Sequence, residues 1–60
     1  LSFTAGVAAN LIGLAHLAAS DGDRDAAHEL LDEAAGLAAD SGAHGVGRWV
    51  EEAREELGLA

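Results

Sequence analysis

"GLAHLAASDGDRDAAHELLDEAAGLA", residues 13–38, sets apolar side chains three and four apart on both sides of a short acidic turn. Leu11, Leu14 and Ala18 lie on or just before its first half, and Ala27, Leu31, Ala34 and Ala38 on its second. That spacing is the period of an α-helix; a strand would alternate every second residue. "SDGD", residues 20–23, carries the residue types that end one helix and start the next: Gly22 lets the backbone turn, and Asp23 is placed to cap the second helix. The stretch reads as a helical hairpin.

Upstream, Val7 continues the stripe and Ile12 and Ala15 widen it, so the first helix is expected over 3–19, with Ser2 or Thr4 as its cap. The second is expected over 24–39, with Leu30 and Leu37 beside its stripe. "DSGAHGVG", residues 40–47, has three glycines and reads as a loop. A short third helix over 46–58 then presents Val46, Trp49, Val50, Ala53 and Leu57 on one side. Glu51, Glu52, Glu55 and Glu56 lie on the other, with Arg48 and Arg54. The expectation is an all-α fold: an antiparallel hairpin plus a C-terminal packing helix, forming one small domain over 1–60. Its core is expected from Leu11, Leu14, Ala15, Ala27, Leu31, Ala34, Trp49 and Val50, with Trp49 at least half buried.

Sixty residues hold at most one domain and bury only a modest share of their surface. No cysteine is present to staple them, and three scattered histidines do not suggest a structural zinc. The chain begins at Leu1 within a helical pattern, so it reads as a segment whose apolar edge needs cover from neighbouring helices or from another copy. Eleven acidic residues, three arginines and no lysine give a net charge of −8, which disfavours nucleic acid as a partner. Residues 1–20 carry no Asp, Glu, Lys or Arg, and the charge is concentrated after them. The run from Ala5 to Ala19 is interrupted by Asn10 and His16 and lacks a basic leader. It therefore reads as packing surface, not as a membrane span or an export signal, and the cytoplasm is the default compartment.

Three motifs could carry chemistry. Counting Asp21 as the first ligand of a twelve-residue calcium loop puts Asp23 third, Asp25 fifth, Glu29 ninth and Asp32 twelfth. Ala26 stands at the sixth position, where the loop needs glycine, and a helical pattern already begins at Arg24, so an acidic turn is preferred to an ion site. "HELLD", residues 28–32, resembles HExxH with its second histidine replaced, but no third ligand is evident. The serines lack any sign of an activating base. The sequence gives no reason to expect catalysis, a cofactor or a bound metal.

The hairpin resembles a tetratricopeptide repeat, the 34-residue helix-turn-helix unit that stacks into solenoids. Placing Gly22 and Asp23 on the family's "GD" turn starts the repeat at Ala8. Leu11, Leu14, Ala15, Ala18, Ala27, Leu31 and Ala34 then fall on its signature positions. Ala39 stands where the family often has proline, and Leu11 and Ala18 replace aromatics common in the first helix. Continuing the register puts Arg48 at a small apolar position, so the third helix is similar to the capping helix of a solenoid end, as in large bacterial regulators. The resemblance implies a scaffold or regulator that binds protein through Phe3, Val7, Ala9, Ile12 and His16. The other protein-binding expectation is a self-associating docking element.

Overall fold

The computed structural model describes residues 3–42 and 44–59. The chain is all-α: α1 spans Phe3–Ser20, α2 Arg24–Ser41 and α3 His44–Glu56. α1 and α2 form the hairpin, and α3 lies chiefly along α2, with a smaller contact to α1.

Each helix ends at a glycine in the left-handed region, where a side chain would be strained. At the end of α1, Gly22 has φ 83°. The Asp23 amide donates to Ala18 O at 2.9 Å and the Gly22 amide to Ala19 O at 3.0 Å, which satisfies two of the last carbonyls. Asp23 then starts α2, its Oδ1 accepting from the Ala26 amide at 3.1 Å. One residue thus closes the first helix with its backbone and opens the second with its side chain, which keeps the hairpin turn short. The same pair of bonds ends α3, from Leu59 to Arg54 O (2.8 Å) and from Gly58 to Glu55 O (3.2 Å), with φ 68° at Gly58.

Two expected boundaries need correction. α3 stops at Glu56, not residue 58, because Gly58 reverses the backbone and returns Leu59 to the core. The expected loop over 40–47 is much shorter: α2 continues to Ser41, and Gly45 and Gly47 lie inside α3. Only Gly42 turns there, with φ 70° and its amide donating to Ala38 O, while the Ser41 hydroxyl donates to Leu37 O at 2.9 Å. Ala43 lies outside the described residues, as do Leu1, Ser2 and the cap expected at Ser2.

The core is built largely from alanine. Ala8 and Ala15 of α1 meet Ala27, Leu31, Ala34 and Ala38 of α2, and α3 adds Val46, Val50 and Ala53. Small side chains let helix axes approach closely, so the core is thin, and Leu31 and Val50 are its largest fully buried members. Leu11 packs against its edge. Leu14 was expected inside and instead is 50% exposed: Ala15, the next residue round α1, takes the inward position. Trp49 is 45% exposed, because Val46, Val50 and Ala53 fill the inner side of α3 and leave the indole at the margin.

Candidate docking face

α1 has two apolar sides. Ala8 and Ala15 define the inner one, flanked by Ala5, Leu11, Ile12, Ala18 and Ala19. Phe3, Val7, Leu14 and Leu17 define the outer one, at 78%, 46%, 50% and 63% exposure. Their steps of four, seven and three place them in a single stripe along the helix, with Asn10 completing the gap between Val7 and Leu14. A helix that is apolar all round is ordinarily covered all round, and α1 is covered on one side only.

The expected partner-binding residues divide accordingly. Ala9 is exposed, but seven residues before His16 it shares that residue's side of the helix, and of the five only Phe3 and Val7 lie on the open side. Ile12 and His16 are not on it. Ile12 packs against the core, and His16 Nδ1 donates to Ile12 O at 2.9 Å while its Nε2 lies 3.1 Å from Glu56 Oε2. Those contacts, first the Ile12 carbonyl and then the Glu56 hydrogen bond, raise the His16 pKa above its usual 6.5. His16 therefore acts as a link between α1 and α3. Leu14 and Leu17 belong to the open face and were not assigned to it from sequence. The 3-7-10-14-17 spacing was the available signal, obscured because the inner residues follow the same period one position later.

Two further polar links hold α3 on α2. Arg54 Nη2 donates to Asp32 Oδ1 at 2.8 Å, and Arg24 Nη2 to Gly58 O at 2.9 Å. Asp32 is thereby engaged by Arg54, which removes it from the HExxH-like pairing with His28. The calcium reading fails on backbone grounds: residues 24–32 are helix, and the Asp23 carboxylate caps that helix, so Asp21, Asp23 and Asp25 do not coil around a common centre. Among the described residues, no group of three or more His, Asp or Glu is gathered to hold a metal.

Between the end of α2 and the start of α3 lies an open groove of about 280 Å³, lined by Ala35, Ala38, Gly47 and Val50 with His44 and Glu51 among its walls. α1 has 18 residues and a mean hydropathy of 1.4, long and apolar enough to cross a membrane by length and composition alone. No family model, curated protein or solved structure matches the chain.

Proposed function

We propose that the chain is a non-catalytic protein–protein interaction module that docks a helical partner on the outer side of α1. The observation that carries this reading is the exposed stripe of Phe3, Val7, Leu14 and Leu17 on a helix whose other side already forms the core. Contiguous exposed apolar surface of this kind marks a contact site more often than an idle surface. The amphipathic grip of one helix on another is a common recognition mode, anchored by residues at three- and four-residue steps. The absence of any buried charged or polar side chain among the described residues also favours docking over chemistry, which needs converging polar groups in a cleft.

In the tetratricopeptide-like form of the proposal, the module is the end of a stack, and another helical hairpin covers α1 as a preceding repeat would. A second reading, self-association, is favoured by one specific feature: α1 has no Asp, Glu, Lys or Arg, although the chain as a whole carries −8. The docking reading is tested by NMR titration with a neutral amphipathic leucine–alanine helix. Shifts concentrated at Phe3, Val7, Leu14 and Leu17, and lost in Leu14→Glu, are expected; shifts confined to α2 and α3, or none, would overturn it.

A further inference from the structure

We infer that the occupant of the α1 face is a second copy of this chain, packed antiparallel about a two-fold axis at Asn10. This rests on the docking reading and adds to it the partner and the register. The outer side of α1 is nearly symmetric in sequence about residue 10, to within one residue. A two-fold there sets Phe3 against Leu17 and Asn10 against its own copy, and brings Val7 beside Leu14 and Gly6 beside Gly13 with an offset of one residue, about 1.5 Å along the axis. Bulky residues meet bulky ones along one edge of the stripe and glycines meet along the other. Nothing lies within 4 Å of the position a Cβ would take at Gly6 or Gly13, so the backbones can approach there. Asn10 fits the axis because a carboxamide both donates and accepts, and two copies can satisfy each other. A lone asparagine in an apolar seam also penalises other registers.

Charge selects a copy over other partners. Two molecules at −8 repel through most of their surfaces, and the face that brings no carboxylate near another is α1. A basic partner would instead be drawn to the carboxylates of α2 and α3. Scaled from the four exposures and from the ~150–250 Å² of a whole aromatic side chain, the face offers on the order of 500 Å² per copy. A pair therefore hides about 1,000 Å², the lower bound for a specific contact. A contact of that size falls at the weak, transient end of specific interfaces.

Sedimentation equilibrium of the chain from micromolar to millimolar concentration should show monomer passing to dimer and no further, with Leu14→Glu weakening association at least tenfold. Single cysteines, which the parent lacks, report the register under mild oxidation. Asn10→Cys should cross-link readily, whereas Leu17→Cys should not, since two copies of residue 17 stand ~21 Å apart at ~1.5 Å per residue. Equal cross-linking at both positions would mean parallel pairing and would overturn the inference. So would a monomer at every concentration, or a monomer that instead floats with phosphatidylcholine vesicles. A monomer that still takes up the neutral helix on α1 would remove the second copy and leave the docking reading standing. A chain that does neither would remove both.

Discussion

Asp23 shows how much one side chain can organise in a chain this short. Its carboxylate meets the Ala26 amide and its own amide closes α1, so Asp23→Ala deletes the cap while leaving the closing bond. The expected loss is ~1 kcal/mol, measured as a lower urea midpoint, with Asp23→Asn recovering most of it. Leu31→Ala empties the largest fully buried position and should cost ~2–5 kcal/mol, enough to leave so small a domain largely unfolded in circular dichroism. Trp49 behaves differently. At 45% exposure its fluorescence should fall between buried and fully solvated indole, and Trp49→Ala should cost less than Leu31→Ala. Emission at the short wavelength of a fully buried tryptophan would contradict the placement.

At the scale of elements, α3 is held by apolar packing on α2 and by side-chain links from all three helices, and one of those links titrates. The raised His16 pKa means the folded chain binds a proton more tightly than the unfolded one. The stabilisation is therefore complete below pH ~6.5 and lost as pH rises through the higher folded-state value. Both partners are substantially exposed, so the effect is under ~1 kcal/mol. The thermal midpoint should fall slightly from pH 5.5 to 8.5, and His16→Gln should flatten the part of that slope due to this link. An identical slope in parent and variant would refute it.

The helices themselves were legible because apolar residues recur at three- and four-residue steps, most clearly in α3 and least in α1, and the hairpin turn because Gly22 and Asp23 have fixed physical uses. Gly45 and Gly47 misled the reading of the second connection, since glycine breaks helices on average and here packing of Val46 and Val50 carries α3 through them. The open face was half legible. Phe3 and Val7 are read onto it correctly, but α1 has apolar residues on every side, and periodicity alone does not say which stripe faces inward. Ile12 and Leu14, two residues apart, exchanged roles for that reason.

For the whole molecule, the consequence is a division within α1: the Ala8–Ala15 side holds the fold together, and the Phe3–Leu17 side is left exposed. Net charge is segregated in the same sense, with the acidic residues on the turn, α2 and α3 and the uncharged helix left open. Raising ionic strength should therefore strengthen dimerisation, because salt screens repulsion between the acidic parts while leaving apolar contact intact. A dimer weakened by 0.5 M sodium chloride would point to an ionic contact in place of the α1 stripe. The two-sided helix is tested most directly by thermal melting of Leu17→Glu and Ala15→Glu beside the parent, at a concentration where sedimentation shows the parent to be monomeric. Leu17→Glu should melt within ~4 °C of the parent, as an exposed substitution does, whereas Ala15→Glu should show no cooperative transition. Comparable unfolding of both variants would contradict the account, since it would place Leu17 in the core along with Ala15.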